Sequence, residues 1–311
     1  MSLATFVQSL GRGPGRSRSL TMDEATAAME IMLDPDAAPE AVGALLMLLR
    51  MKGETADEIA GLAKAAQAAM QEMPKADLDW PSYAAGRTRG APWFLHSARM
   101  VADAGHRVLL HGWNGADQKV RGGLSAAGIN IASSPDDAEI LLASDGIAYL
   151  PLEDMHPALF ALLHLREVLG LRSCINTVCR MLNPAQATSS VQGVFHPSYR
   201  LLQADAAALL GWQNLTVIKG GGGEFERHPA KDVAAFGLRD GAAWEGNFHA
   251  FIAETRRLAE PTAAYDLAQP SGFDEQVIIG TAAAALATLG TTNVEGTARR
   301  LWHARQPRDA A

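Results

Sequence analysis

Cysteine is scarce in this sequence, and long apolar runs are missing from it. The two cysteines among 311 residues, Cys174 and Cys179, are too few for a disulfide framework and suit a reducing compartment. No apolar run reaches the roughly 18 residues that would span a bilayer, which argues against a membrane protein. Residues 1–18 are rich in Gly, Ser and Arg and lack the apolar stretch of a secretion signal. We therefore expect a mobile N-terminal arm on a cytoplasmic protein.

Basic charge is in the minority as well. The 27 Lys and Arg residues stand against 34 Asp and Glu residues, so the formal net charge is −7. That balance argues against a basic coat over the whole surface for nucleic acid, although a local basic groove is compatible with it. With 48% hydrophobic and 20% charged residues, the composition is that of a globular protein. A chain of this length fits two unequal domains best.

The first part of the chain has a helical pattern. Thr21–Glu24 and Thr55–Glu58 both have the spacing of a capping box, in which a hydroxyl and a carboxylate satisfy free N–H groups at a helix start. Pro39 opens a further helix between them. The pattern predicts three helices before Pro74.

After Pro74, short apolar runs alternate with helical stretches, which predicts a mainly parallel sheet covered by helices. The predicted strands include Arg107–Leu110, Ile147–Leu152 and Leu215–Ile218. We expect an α/β protein with a small all-helical domain at residues 1–76, onto which residues 153–184 pack. Residues 77–152 and 185–311 then form the larger α/β domain.

Five short motifs occur in an order and spacing that resemble one known family. They are RMKGET at Arg50–Thr55, HPA at His156–Ala158, LREVLGLR at Leu165–Arg172, NPA at Asn183–Ala185 and GVFHP at Gly193–Pro197. This series is similar to the anthranilate phosphoribosyltransferase family, a branch of glycosyltransferase family 3 with a class IV phosphoribosyltransferase-like fold. The resemblance implies a homodimer joined through the helical domain, with the ligand site in the cleft between the two domains.

Two residues of these motifs match ligand-site positions of the family. Arg172 stands where the family's aromatic-acid-binding arginine falls, and His156 lies in the matching His-Pro-Ala turn. Arg172 has a structural alternative, since it can cap the preceding helix or pair with Glu167. For His156 we expect a structural role ahead of a ligand role.

The family's phosphate-handling positions are altered in this chain. In place of a Gly-Thr-Gly-Gly-Asp pyrophosphate turn it has DWPSYAAGR at Asp79–Arg87, where Pro81 lacks an N–H and Tyr83 would crowd an anion. The Lys-His-Gly-Asn position is LHGWN at Leu110–Asn114, so the lysine is lost, and residues 115–123 replace a serine-rich segment. The residues of these segments that we expect in the cleft are Ser82, Tyr83, Gly86, His111, Gly112 and Asn114.

The magnesium-binding pair of the family is altered too. GGEFE at Gly222–Glu226 places Phe225 where the family has aspartate and leaves Glu226 as a weak candidate ligand. A single carboxylate is a poor anchor for Mg²⁺. The sequence therefore implies no cofactor firmly, and Mg²⁺ only if transferase activity is retained.

Basic side chains accumulate in the altered segments. Arg87 and Arg89 lie in one replacement loop, Lys119 and Arg121 lie in the other, and the fold is expected to bring all four to one cleft. Lys219 begins a glycine-rich loop in which a phosphate can approach the backbone. Aromatic residues are interleaved with these charges. Each ring alone is more typical of a core, but together they predict a stacking surface: Trp80, Tyr83, Trp93 and Trp113.

These observations favour a protein that has lost anthranilate phosphoribosyl transfer and binds nucleic acid, single-stranded by the aromatic pattern, in a basic groove. The alternative is an active glycosyl or phosphoribosyl transferase with a different phosphorylated sugar, held by Arg87, Lys119 and Arg121 with a metal on Glu226. A third hypothesis is a scaffold that binds a small anionic metabolite. The net charge of −7 is the main objection to the first hypothesis.

Overall fold

The computed structural model describes residues 2–13, 15–84, 90–113, 118–254, 256–258, 266–270 and 272–305. Within these residues a small helical bundle precedes a larger α/β domain, so the predicted fold class is confirmed. The helices of the N-terminal bundle are α1 (Leu3–Gly11), α2 (Met22–Met32), α3 (Pro39–Lys52) and α4 (Ala56–Ala68). Three of them are the predicted helices, and α1 is an additional one.

Helix α1 lies where composition predicts a mobile arm, and that expectation is wrong. The Ser2 hydroxyl accepts a hydrogen bond from the Ala4 N–H and caps the helix. Leu3, Phe6 and Leu10 then fall on one face and are buried, with α3 packed against α1. The apolar helical spacing of these three residues outweighs the Gly and Arg content of the segment, because burial of that face stabilises the helix.

Helices α2 and α4 begin with the two predicted capping boxes. Thr21–Glu24 and Thr55–Glu58 each form both reciprocal hydrogen bonds between side chain and backbone. Glu58 is also fully buried, where it pairs with Lys52 at 2.8 Å and accepts a hydrogen bond from the Leu20 N–H at 2.9 Å. One carboxylate therefore links the start of α4 to the end of α3 and to the chain entering α2.

Seven strands form a single sheet. They are β1 (Leu78–Ser82), β2 (Val108–Gly112), β3 (Ile147–Pro151), β4 (Ser189–Val194), β5 (Asn214–Lys219), β6 (Val233–Arg239) and β7 (Ala242–Phe248). Their order is β3-β2-β1-β4-β5-β6-β7, with β1 to β5 parallel and the last two antiparallel. The predicted mainly parallel sheet is thus confirmed. The carboxyl ends of β1 to β5 meet at one edge, which is where open α/β sheets bind ligands.

The remaining helices cover the sheet or return to the bundle. They are α5 (Phe94–Asp103), α6 (Lys119–Leu124), α7 (Pro135–Asp145), α8 (Leu152–Met155), α9 (Pro157–Leu169), α10 (Ile175–Arg180), α11 (Tyr199–Leu209), α12 (Phe273–Thr288) and α13 (Val294–Ala304). Among the described residues, no helix is both long enough and apolar enough to cross a membrane.

The segment from α8 to α10 contacts the N-terminal bundle. His156 Nε2 lies 3.1 Å from the Ala66 carbonyl oxygen, and His156 Nδ1 accepts a hydrogen bond from the Leu159 N–H at the start of α9. The Gln67 amide donates to the Met181 carbonyl at 2.9 Å. These contacts join the segment to α4 and hold the His156 ring between α4 and the start of α9. The boundaries of the two domains stay a prediction.

Phe6→Ala tests whether α1 belongs to the cooperative folded unit. Removing a buried phenyl ring should lower the free energy of unfolding by about 3–5 kcal/mol, because it leaves a cavity against α3. Val168→Ala, at a side chain that is 82% exposed, is the control and should change stability by less than about 0.5 kcal/mol. Urea unfolding followed by circular dichroism measures both. An unchanged unfolding midpoint for Phe6→Ala would show that α1 is not part of the folded unit.

A cationic cleft between the two domains

A cavity of about 400 Å³ lies between the helical bundle and the carboxyl edge of the sheet. Helices α3, α9, α10 and α11 and the turns after β1, β4 and β5 contribute its described lining. A volume of this size is within the range of small-molecule sites. We call this cavity the cleft.

Arginine dominates the charge of the cleft, and none of its described lining residues is Asp or Glu. The arginines are Arg50, Arg166, Arg172 and Arg180. Arg50 donates from the end of α3 to the Arg172 carbonyl at 2.6 Å, and Arg172 donates to the Ala84 carbonyl after β1 at 3.3 Å. The Arg166 guanidinium lies 5.8 Å from the centre of the Trp113 ring, within cation–π range. Arg172 thus lies in the cleft, as the resemblance implies.

Arg180 is the most deeply buried of these arginines, with 7% of its surface exposed. Its Nη1 donates to the Asn176 carbonyl at 3.0 Å and to Asn176 Oδ1 at 2.8 Å. Burial lowers the pKa of Arg180, and the nearby Glu224 raises it. A buried guanidinium needs an opposite charge nearby. Glu224 supplies one from the turn after β5, and an anion in the cleft would supply another.

The end of β1, where the resemblance places a pyrophosphate turn, is closed by buried side chains. Tyr83 Oη lies 2.8 Å from His111 Nδ1, and His111 Nε2 lies 3.0 Å from Asp79 Oδ1. Ser190 donates to Asp79 Oδ2 at 2.6 Å. All four side chains are at most 1% exposed, and burial raises the pKa of Tyr83 well above its usual value. Tyr83 and His111 therefore hydrogen-bond inside the protein and do not line the cleft.

Ser82 and Gly112 lie at the ends of adjacent strands in close contact. A Cβ atom at position 112 would overlap the Ser82 carbonyl, so only glycine allows β1 and β2 to end side by side. Ser82 itself is buried and hydrogen-bonds Glu224. Four further predicted site residues lie outside the described residues: Gly86, Arg87, Arg89 and Asn114.

Comparisons with known proteins agree with this architecture. Sequence models of a glycosyl transferase family match the chain, with the helical bundle domain over residues 5–70 and the a/b domain over residues 94–245. An anthranilate phosphoribosyltransferase from Polynucleobacter necessarius is 30% identical over 241 residues, which are 75% of this chain and 70% of that protein. The chain belongs to the anthranilate phosphoribosyltransferase family.

Solved structures of the anthranilate phosphoribosyltransferase family share the fold over nearly the whole chain. The crystal structure of the enzyme from Thermus thermophilus has a TM-score of 0.77 at 21% identity and covers 97% of this chain and 94% of that one. The Saccharomyces cerevisiae enzyme in complex with PRPP and Mg has a TM-score of 0.77 at 16% identity, over 97% of this chain and 92% of that one. At these identities the likeness shows the fold alone.

The carboxylates at the family's metal-binding position do not fit a magnesium ion in this chain. Glu226 is 4% exposed, and its Oε1 accepts a hydrogen bond from the Phe94 N–H at the start of α5 at 3.0 Å. Glu224 accepts from the Ala84 N–H, also at 3.0 Å. Burial raises the pKa of Glu226 to about 8, so this carboxyl is protonated at neutral pH and lacks the charge that Mg²⁺ prefers. Within the described chain, no group of three or more His, Cys, Asp or Glu side chains is placed to hold a metal ion.

The aromatic residues that predict a stacking surface are part of the core, and that expectation is wrong. Each is at most 9% exposed: Trp80, Tyr83, Trp93 and Trp113. Trp80 stacks on Phe94 at 6.3 Å and packs edge-on against Phe225 at 5.5 Å. By the family resemblance, Phe225 stands at the aspartate position and Trp80 in the segment of the pyrophosphate turn. The two segments therefore form one apolar contact.

The predicted basic residues that the structure describes lie outside the described cleft lining. Arg121, in α6, pairs with Glu153, which follows β3. Lys119 begins the same helix, and Lys219 is exposed at the end of β5. The structure therefore does not bring these residues together in the cleft. Phosphate contacts at Lys119, Arg121 and Lys219 stay predictions.

Of the described lining residues only Arg172 is among those that the sequence predicts, and the residues that it misses include Arg50, Arg166, Arg180 and Gln203. Arg50 and Arg166 belong to the motifs RMKGET and LREVLGLR, which carry the family resemblance. Membership of these motifs could have predicted that both arginines line the ligand site. Arg180 and Gln203 lie in helices without a local signature. Only the approach of α10 and α11 to the sheet edge brings them into the cleft.

Glu226→Gln tests the protonated state of this carboxyl. Its folded pKa of about 8 lies above the usual 4.5, so its contribution to stability is fully present below the usual value and is lost as pH rises through 8. Gln accepts the same hydrogen bond and cannot ionise. Relative to wild type, the variant should therefore gain on the order of a few kcal/mol of unfolding free energy between about pH 5 and pH 9.

Urea unfolding across this pH range measures the difference between the two proteins. Glu167→Gln, the same substitution at an exposed carboxylate, serves as the control, for which the difference should stay nearly constant. Parallel pH profiles for wild type and Glu226→Gln would show that Glu226 is ionised in the folded protein.

Proposed function

We propose that this chain binds single-stranded nucleic acid in the cleft and does not transfer phosphoribosyl groups to anthranilate. The proposal depends on one observation, which is a lining with four arginines and no described carboxylate. Guanidinium groups present planar pairs of donors that fit phosphate oxygens. In a chain with a net charge of −7, a recessed group of cations concentrates the attraction for phosphate at one place.

Arg50 and Arg166 are the arginines best placed for a polymer. Neither forms an ion pair with a described carboxylate. Arg50 is exposed and Arg166 is half-buried, whereas Arg180 lies deeper. A phosphate backbone at the mouth of the cleft would therefore meet Arg50 and Arg166 first.

Aromatic side chains of the same cleft suit an unpaired base. Phe195 is 43% exposed, and its ring centre lies 4.9 Å from that of His196. Tyr199 lines the cleft beside them. Stacking on such rings contributes about 1–3 kcal/mol per base and tolerates any sequence. Because stacking requires the base to leave a duplex, these rings favour a single strand.

The closed phosphate and metal positions support the loss of transfer. Phosphoribosyl transfer depends on positioning the substrate and on stabilising the departing pyrophosphate. Tyr83 is buried where the resemblance places the pyrophosphate turn, and Glu226 is buried and protonated at the metal position. Among the described residues of these two segments, no side chain is placed to stabilise pyrophosphate or to hold its metal.

A second candidate function is glycosyl or phosphoribosyl transfer with a different phosphorylated sugar. The cleft volume of about 400 Å³ favours it, since a sugar phosphate and a ring-shaped acceptor fit such a space. Family membership also favours it. The cleft arginines would then hold the sugar phosphate, because Lys119 and Arg121 lie outside the described lining.

We also infer a homodimer joined through the helical domain, as the family resemblance implies. Sedimentation equilibrium should give twice the 33.0 kDa mass of one chain. The mass of a single chain at micromolar concentration would contradict the dimer without affecting the cleft proposal.

Charge reversal in the cleft tests nucleic-acid binding. Arg50→Glu and Arg166→Glu should each weaken binding of a short fluorescent oligodeoxynucleotide by roughly tenfold or more, because each loses a charge-assisted hydrogen bond. Each should also flatten the dependence of log K on log salt by about 0.7, the value for one phosphate contact on a single strand. Fluorescence anisotropy at several salt concentrations measures both effects.

Arg16→Glu is the matched control, because it makes the same charge change at an exposed arginine outside the cleft lining. Its effect should be small. If all three variants weaken binding equally, the attraction depends on the net charge of the protein. That result would contradict binding in the cleft. Magnesium-dependent release of pyrophosphate from phosphoribosyl diphosphate, with no oligonucleotide binding at low salt, would instead support the transferase.

A further inference from the structure

Arg180 has an unused hydrogen-bond donor at the inner end of the cleft. The residue lines the cavity from α10, and Nη1 of its guanidinium donates to the carbonyl and the side-chain oxygen of Asn176. Nη2 donates to none of the described residues, and unlike the enclosed Nε of Arg227 it is not sealed inside the protein. It lies beside the glycine turn after β5, because a Cβ atom at Gly223 would stand 3.8 Å from it. Gly222 of the same turn lines the cleft.

Thr177 places a hydroxyl on the same face of α10. Side chains three positions apart lie next to each other on a helix, and Thr177 stands three positions before Arg180. Like that arginine, it is 7% exposed and lines the cleft. Its Oγ1 forms no hydrogen bond with the described residues and is not enclosed by them either. Buried polar groups in folded proteins nearly always have a partner, so two adjacent ones on the wall of a cavity indicate a ligand.

The charge of Arg180 lacks a close counterion. Its guanidinium forms no ion pair with a described carboxylate. Glu224, the nearby carboxyl that raises its pKa, accepts hydrogen bonds from the Ala84 N–H and from Ser82. Burying a guanidinium without a paired anion is costly. Because the described lining of the cleft contains no Asp or Glu, a ligand has to bring the missing anion.

A phosphomonoester is the anion that fits this pair of residues best. It carries about −1.5 to −2 charges at pH 7 and three acceptor oxygens, so a guanidinium and a hydroxyl can each donate to a different oxygen. The position also favours the end of a strand, because an internal phosphate has a nucleotide on each side. A cavity of about 400 Å³ is small for a ligand site and holds roughly one nucleotide.

We propose that Arg180 and Thr177 form an anion site at the inner end of the cleft that binds the terminal phosphomonoester of a nucleic-acid strand. This assignment rests on the proposed function, because it places the end of the bound strand in the cleft. Arg50 and Arg166 then contact the following phosphates at the mouth, where they are less buried.

The test compares strands that differ only at their ends. Short oligothymidylates with a fluorophore on a central base are prepared with a 5′-phosphate, with a 3′-phosphate and with hydroxyls at both ends. Wild-type protein should bind at least one phosphorylated strand roughly tenfold more tightly than the hydroxyl strand, because charge-assisted hydrogen bonds are gained. Fluorescence anisotropy at a fixed salt concentration measures the three affinities.

Two substitutions locate the preference in the cleft. Arg180→Gln should bind all three strands equally, and Thr177→Val should reduce the preference severalfold because it removes only the hydroxyl. Arg239→Gln, at a half-buried arginine outside the cleft lining, is the matched control and should keep the full preference. Thermal unfolding shows whether each variant is folded. If Arg180→Gln does not fold, Thr177→Val decides, since valine has nearly the shape of threonine.

The outcomes separate this assignment from the function on which it rests. Equal affinity of the wild type for the three strands overturns the strand-end site and leaves nucleic-acid binding in place. No binding of any strand overturns both. A preference that persists in Arg180→Gln and in Thr177→Val overturns the role of these two residues. Arg180-dependent binding of thymidine 5′-monophosphate without strand binding would assign the site to a small phosphorylated molecule and likewise overturns the proposal.

Discussion

The contact between residues 79–84 and residues 222–226 fixes the chemistry of the whole site. Glu224 accepts from the Ala84 N–H, and Phe225 packs edge-on against Trp80. Glycines make this approach feasible, because a Cβ atom at Gly193 or Gly220 would overlap the backbone of Glu224. The described parts of the segments that the resemblance assigns to pyrophosphate and to metal therefore pack against each other.

The cleft beside this contact is lined by positive charge, whereas the contact itself contains buried carboxyl groups. Its arginines face a cavity without described carboxylates, while the carboxyls of Glu224 and Glu226 are hydrogen-bonded to backbone in the interior. A cationic lining favours anions, and none of its described residues is a carboxylate that could hold a metal ion. Arg50, Arg166 and Arg180 come from helices and Arg172 from the loop between α9 and α10, whereas the resemblance places the family's metal-binding carboxylates in the turn after β5. The cationic wall is present here without a described metal site.

Short sequence patterns predicted the structure correctly where the stabilising interaction joins residues close together in the chain. Both capping boxes, at Thr21 and Thr55, form as their spacing predicts, because the two bonds join residues three apart in the chain. The predicted strands lie within or beside β2, β3 and β5, since apolar runs bounded by Gly or charge fit buried parallel strands. The prediction of a mobile N-terminal arm was wrong because the helical spacing of Leu3, Phe6 and Leu10 decides the structure there. Composition does not record spacing. The prediction of an aromatic stacking surface was wrong because the exposure of a side chain depends on tertiary packing and not on its sequence neighbours.

Sequence alone was enough for the order of helices and strands, the parallel sheet and the family, because each depends on neighbouring residues or on short motifs. The contents of the cleft were not accessible in that way. Arg50 and Arg180 are far apart in the chain, and they line one cavity only because the end of α3 meets the segment that leads into α10, where Arg50 donates to the Arg172 carbonyl. The role of Glu226 likewise followed from burial against α5, which raises its pKa, and burial is set by the packing of distant segments.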